Sequence, residues 1–414
     1  MRKTLFCLII AALAVGAPAG ATEPTGRALP GLAPFDVAMR EVMDKWQIPG
    51  GSLAVARDGH VLLVHGYGMG DVERGRLVRP ASRFRLGSLS KMLTAVAILQ
   101  LAEDGRLGLD DKLLPILGPL GPRPAAIQDE RVRDITVRQL LQHRAGFDRD
   151  ISGDPLFPPR AVEAGRRQHA RLPATCPTLL RDTLESPLDF APGSRFAYSN
   201  VGYCMLGRVI ERISGVSYAT YVRTRILKPA HAGLRLGRTL KRRPNEVVYY
   251  DYPGAPLAAP QPGFGLRMPV HAPYGSYAIE AMDALGQWVG SPLDYLRFLL
   301  AIDGQRGRAL LAAASVREML APPADAETPA SYYGLGVVVR PVADAGANWW
   351  HFGVQPGVVS FAVRYADGTA WVAAFNRRPR DTNRFTLDVD RSLRAAARRV
   401  DAWPDGDLDP VRKR

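Results

Sequence analysis

The sequence predicts an α/β chain of the α+β type: an antiparallel sheet with flanking helices, joined to a mainly helical second lobe. Three observations predict it. Strand-like apolar runs with Asp-Gly turns lie near both ends of the 414-residue chain. Between them the apolar spacing is helical, broken by long Pro/Gly loops. No internal repeat is present, so the terminal strands need each other to complete one sheet. The expected organisation is a sheet-containing lobe from residues 22–91 and 276–402 and a helical lobe from 92–275.

Residues 1–21 read as a secretory signal. Arg2 and Lys3 precede the apolar run Leu5 to Val15, and Ala19-Gly20-Ala21 offers a small-residue cleavage site. Eleven apolar residues are too few to cross a bilayer, which takes about 20. The mature chain is therefore expected to be exported, periplasmic or secreted, without stable membrane insertion. Residues 33–47 follow as an amphipathic helix ending before Pro49-Gly50. Two strands, Ser52 to Ala56 and His60 to His65, are joined by Asp58-Gly59, a hairpin turn signal. Gly66, Gly68 and Gly70 lack the helix a nucleotide loop requires and read as a Gly-rich turn.

Ser88-Leu89-Ser90-Lys91 opens a helical pattern, Met92, Leu93, Val96 and Leu99, that Gly105 stops. Residues three apart share a helix face, so Lys91 can lie beside the Ser88 hydroxyl. A serine is a poor nucleophile without such a base. The free N–H groups of a helix start also favour a developing oxyanion. Further on, Pro115 to Pro124 and Pro253 to Pro273 are long loops, of the irregular kind that borders clefts. Tyr198-Ser199-Asn200 follows the turn Ala191 to Ser194 and starts a helix, Val201 to Ile213, closed by Gly215. His351-Phe352-Gly353 opens an apolar strand pattern through Val354, Val358, Val359 and Phe361. Leu335 to Arg340, Val358 to Tyr365 and Ala370 to Phe375 read as strands, with Asp367-Gly368 as a second hairpin turn. A last helix spans Leu387 to Val400.

The order Ser-x-x-Lys, Tyr-x-Asn, basic-x-Gly resembles the penicillin-recognising serine hydrolases: class C β-lactamases, D-alanyl-D-alanine peptidases and their esterase relatives. Leu140 to Phe147, Pro192 to Asn200 and Tyr333 to Gly336 add family-like phrases. The resemblance implies a β-lactamase/transpeptidase-like fold and acyl transfer through a Ser88 acyl-enzyme, with Lys91 and Tyr198 as general bases. It also places the N–H groups of Ser88 and Val354 in an oxyanion hole, with Asn200, His351 and Gly353 in substrate binding. Lys91 acts as a base only when neutral, and lowering its pKa from about 10.4 to about 7 takes roughly 4–5 kcal/mol of burial and nearby positive charge.

One motif departs. Relatives carry Lys-Thr-Gly or His-Thr-Gly where this chain has His351-Phe352-Gly353. His351 is mostly neutral at pH 7 by its reference pKa, and Phe352 has no donor. The site for a substrate carboxylate is weakened, which favours an esterase or peptidase over a β-lactamase or D-Ala-D-Ala carboxypeptidase. A penicillin-type sensor that does not turn over is the reading from another class.

Removal of the signal leaves Cys176 and Cys204, which in an oxidising compartment either pair or stay as two buried thiols. No Cys/His spacing suggests zinc, no cofactor motif is present, and no Gly-x-Ser-x-Gly elbow marks an α/β-hydrolase. The net charge is +14, carried by 47 Arg and seven Lys. The cations are scattered rather than interleaved with aromatics, which argues against a nucleic-acid platform. Loose contact with anionic cell-envelope polymers fits the charge.

Overall fold

The computed structural model describes residues 23–324, 330–343 and 345–409; the expected signal segment lies outside them. Nine strands of the described residues form one sheet: β1 (Thr25–Ala28), β2 (Gly50–Arg57), β3 (His60–Asp71), β4 (Arg76–Leu77), β5 (Tyr332–Tyr333), β6 (Val338–Val342), β7 (Gly346–Gln355), β8 (Val358–Arg364) and β9 (Thr369–Phe375). The order is β1-β3-β2-β9-β8-β7-β6-β5, with β4 on β3, and the pairs are antiparallel. Its central seam joins β2 to β9 from Arg57↔Thr369 to Gly51↔Phe375.

The helices used below are α1 (Ala33–Lys45), α2 (Ser90–Glu103), α3 (Val137–Leu141), α4 (Cys176–Glu185), α5 (Asn200–Ser214), α6 (Pro292–Ala301) and α7 (Thr382–Arg398). Strand periodicity sends alternate side chains of β2 to opposite faces. Leu53 and Val55 meet α1 and α7 through Phe35, Met39, Phe385 and Val389. Ala54 and Ala56 face the other way, into the larger core of α2 and α6 with Met92, Val96 and Leu296. The sheet is therefore buried on both faces, which is why β8 and β9 are buried at every position.

α2 is the central helix. Every residue from Ser90 to Leu101 is buried, as expected for a helix enclosed on all sides. Two readings of the sequence change. Gly66, Gly68 and Gly70 lie on β3 and do not form a turn. They serve close crossings: a Cβ at Gly66 would sit 2.6 Å from the Val78 carbonyl, and at Gly68, whose φ is +62°, 2.3 Å from that of Pro49. The helical stretch, expected to reach 275, ends near Leu227, and short strands and loops follow up to α6. Smaller shifts also occur: Pro115 falls in a short helix, Leu113–Leu117, and His351 to Val354 lie inside β7, apart from β8.

Candidate active site

Ser88 sits in a single tight turn, Gly87–Leu89, that runs directly into α2. Lys91 is thereby on the first turn of the most buried helix, and it is fully buried. Tyr198 precedes α5, whose N-cap is Ser199 and whose first residue is Asn200; Gly215, with φ +77°, closes it as the sequence predicts. These elements bring four side chains together. Lys91 Nζ lies 3.0 Å from Ser88 Oγ and donates to Asn200 Oδ1 at 2.8 Å and to the Leu285 carbonyl at 3.4 Å. Tyr198 OH donates to Ser88 Oγ at 2.8 Å.

The amine geometry has a chemical meaning. A neutral amine has two N–H bonds and one lone pair. Asn200 Oδ1 and the Leu285 carbonyl can only accept, so they take the two N–H groups and leave the lone pair facing Ser88 Oγ. Asn200 holds this orientation because its Nδ2 donates to Asp154 Oδ2 at 2.6 Å. A carboxylate beside it fixes which end of the amide is the donor. Burial pushes the Lys91 ammonium well below its ordinary 10.5; the Asp154 anion opposes this and the Arg149 cation adds to it. Burial also raises the Tyr198 phenol, against the opposing hydrogen bond to Ser88 and the charge of Arg149. Tyr198 was expected as a base alongside Lys91; in the free site it is held protonated, as a donor.

β7 closes the other side. Gly353 approaches the Ser88 turn so closely that a Cβ there would fall 2.0 Å from the Leu86 carbonyl, which also accepts from Ser360 Oγ at 2.7 Å. Gly87, with φ +50°, faces back, its Cβ position 3.1 Å from Val354 N. The two glycines let the Val354 backbone N–H and the Ser88 turn stand side by side. His351 departs from expectation. It is buried, its Nδ1 donates to the Phe352 carbonyl at 2.7 Å, and its Nε2 accepts from Tyr333 OH at 2.9 Å. Burial first, then the Lys91 charge, push its pKa down to about 3. A neutral ring with both nitrogens occupied has nothing to offer a substrate carboxylate. Phe352, in contrast, is exposed beside it.

A protein-family model described as Beta-lactamase matches residues 35–395. The chain belongs to this family. The fold agrees: the octameric penicillin-binding protein homologue from Pyrococcus abyssi superposes with a TM-score of 0.65 over 88% of this chain and 77% of that one, at 23% identity. A D-stereospecific amidohydrolase from Streptomyces sp. gives 0.62 over 86% and 97%, at 25% identity. In sequence, the protein flp of Staphylococcus aureus is 27% identical over 256 residues, 62% of this chain and 47% of its own length. The chain spans about half the length of such curated relatives. The same fold is shared by a protein described as a hydrolase with promiscuous acyltransferase activity, at a TM-score of 0.64 over 88% of this chain and 98% of that one and 21% identity.

Sequence reasoning missed three residues of the site: His143, Arg149 and Asp154. His143 brackets Tyr198, since its carbonyl accepts from Ala197 N–H at 2.9 Å and its Nδ1 from Ser199 N–H at 3.1 Å. Its ring lies 4.2 Å from that of Tyr198, and its φ of +56° turns it into this position. Burial above all, helped by the Arg149 charge, holds it neutral, so Nδ1 stays an acceptor. Among the described residues its Nε2 has no hydrogen-bond partner. The Arg149 guanidinium stands 4.8 Å over the Tyr198 ring. His143 belongs to the family-like phrase Leu140 to Phe147, which was its only signal; Arg149 and Asp154 gave none. Cys176 and Cys204 form a disulfide that ties the start of α4 to α5.

Proposed function

We propose that the protein is an exported serine hydrolase that cleaves an ester or amide through an acyl-enzyme on Ser88. The observation that carries this reading is the convergence of Lys91 Nζ and Tyr198 OH on one serine oxygen, at 3.0 and 2.8 Å. The neutral Lys91 amine takes the Ser88 proton as Oγ attacks the carbonyl carbon. The resulting oxyanion sits against the N–H groups of Ser88 and Val354, each such donor supporting the transition state by about 3–4 kcal/mol. Tyr198 gives its proton to the leaving group and is recharged by the Lys91 ammonium. Water then enters by the same proton path, with Tyr198 as the carrier, and releases the acid.

The neutral His351 and the exposed Phe352 favour a substrate with an uncharged, apolar end on the β7 side. Esters and amides of this kind fit better than penicillins or D-Ala-D-Ala ends, whose carboxylate would meet no charge on His351. The amidohydrolase of the Streptomyces neighbour supports the same bond class. Export rests on the signal-like residues 1–21 and agrees with the disulfide.

A fluorophosphonate probe followed by intact-protein mass tests the reading. One adduct on the wild type, none on Ser88→Ala, and loss of p-nitrophenyl acetate turnover in that variant are expected. Wild-type turnover in a folded Ser88→Ala protein would overturn it. Acylation by penicillin without turnover of any ester would make the protein a sensor instead.

A further inference from the structure

The long loops between α5 and α6 carry a face that the catalytic reading does not use. Residues 252–279 contain no Asp or Glu. Within this stretch Leu257 is 54% exposed, Leu266 37% and Met268 73%, and the neighbouring arm adds Leu240 at 53%. These are four large apolar side chains in water, and two of them, Leu240 and Leu266, lie together. A Cβ on Gly275 would come within 2.6 Å of Leu266 Cδ1 and 3.5 Å of Leu240 Cδ2, so both leucines lie over that glycine. Ala258 and Val270 exchange backbone hydrogen bonds at 2.8 and 2.9 Å, which pairs the Leu257 and Met268 segments.

The charges around them are mainly positive. Arg238, Lys241 and Arg267 are exposed. Of the nearby acids, Glu246 is buried, Asp251 pairs with Arg378 at 2.9 Å, and Glu280, which is exposed, accepts from Thr239. The face is also held firmly. Arg85, fully buried, donates to the carbonyls of Pro273 at 2.8 Å and of Arg238 and Thr239 at 3.4 Å. Both arms thus hang from a side chain three residues before Ser88.

We propose that this face docks the protein on an anionic lipid surface, the apolar tips entering the acyl boundary and the cations meeting the headgroup phosphates. Contiguous exposed apolar side chains mark interaction surfaces, and a cationic rim selects an anionic partner. A soluble polyanion would use the cations and leave Leu257 and Met268 in water. A lipid interface uses both. Among the described residues no helix is long and apolar enough to cross a membrane, so the contact is peripheral. Through Arg85 it presents the site at a fixed distance from the lipid.

The test is co-sedimentation of the mature protein with vesicles of phosphatidylcholine alone and with 30% phosphatidylglycerol, at low and high salt. The wild type should bind the anionic vesicles and release in salt. Lys241→Glu/Arg267→Glu should lower the partition coefficient at least about 25-fold, from roughly fivefold per cation. Leu257→Ser/Met268→Ser should lower it by about tenfold. The same charge change on α7, Arg391→Glu/Arg398→Glu, should alter it less than about twofold. Hydrolysis of p-nitrophenyl acetate should be unchanged in all three variants, which reports their folding independently. No binding by the wild type overturns the proposal. So does binding that the Leu257/Met268 variant retains in full, which would show a contact made by the cations alone, or binding that the α7 variant loses equally.

Discussion

Asp154→Asn separates the charge of the site from its shape. The Asp154 carboxylate reaches Lys91 through Asn200, across hydrogen bonds of 2.6 and 2.8 Å and the width of one amide. The charges are therefore roughly 7 Å apart, and at an effective dielectric of about 20 their attraction is about 2.4 kcal/mol, or 1–2 pH units. An anion favours the ammonium, so its removal lowers the Lys91 pKa further. The acid limb of kcat/KM, which reports the free enzyme, should move to lower pH by about one to two units. The plateau should meanwhile fall by about tenfold, because Asn200 loses the charged acceptor that fixes its orientation, a bond worth roughly 1.5–3 kcal/mol. The assay is p-nitrophenyl acetate hydrolysis from pH 4 to 9 at constant ionic strength, with circular dichroism on each sample. An acid limb that stays in place or moves upward would refute the assignment of Lys91 as the base coupled to Asp154.

Further expectations concern the surroundings of this pair. His143→Phe keeps a ring beside Tyr198 but leaves the Ser199 N–H unpaired; kcat should fall at least about tenfold with little change in KM, and His143→Asn should recover part of it. Lys91→Met should remove activity yet stabilise the fold at pH 7 by at least about 1 kcal/mol in urea unfolding. The native lysine pKa is depressed, so the unfolded chain binds the extra proton; wild-type stability should rise with pH above the native value towards 10.5, and the Met variant should not follow. Phe352→Thr should raise the ratio of nitrocefin to p-nitrophenyl acetate kcat/KM, and an unchanged ratio would show that a carboxylate is held elsewhere. Replacing both Cys176 and Cys204 by Ala should cost about 3–4 kcal/mol in urea unfolding, from the loop closed over a separation of 28 residues.

What the sequence made legible was local. Ser88 and Lys91 are three residues apart and Tyr198 and Asn200 two, so helix geometry and turn placement alone put each pair on one side. Asp154, His143 and the Leu285 carbonyl reach the site across long stretches of chain, and no spacing rule connects them to it. The third motif was legible in its chemistry but not in its placement. The sequence already reads His351 as mostly neutral but places it in substrate binding, whereas burial and two hydrogen bonds make it a strut between Tyr333 and its own strand. Gly353 shows the same limit. Its need for a missing side chain comes from the Leu86 carbonyl, more than 260 residues earlier. Gly66, Gly68 and Gly70 looked like a turn because glycine most often marks one; here it marks where strands cross at close range.

The seam between β2 and β9 sets the order in which this molecule can be assembled. Residues 51–57 find their partners only at 369–375, so the centre of the sheet cannot form until nine-tenths of the chain exists. Before that, β2 offers one open edge beyond its hairpin partner β3, and α2 has only that hairpin, not the full sheet, to cover it. Contacts of such sequence separation are slow to form and leave apolar edges open meanwhile. The chain is thus one cooperative unit in time as well as in space. A fragment ending before Thr369 would carry Ser88, Lys91, Tyr198 and the Gly353 strand and still lack the support that holds them together.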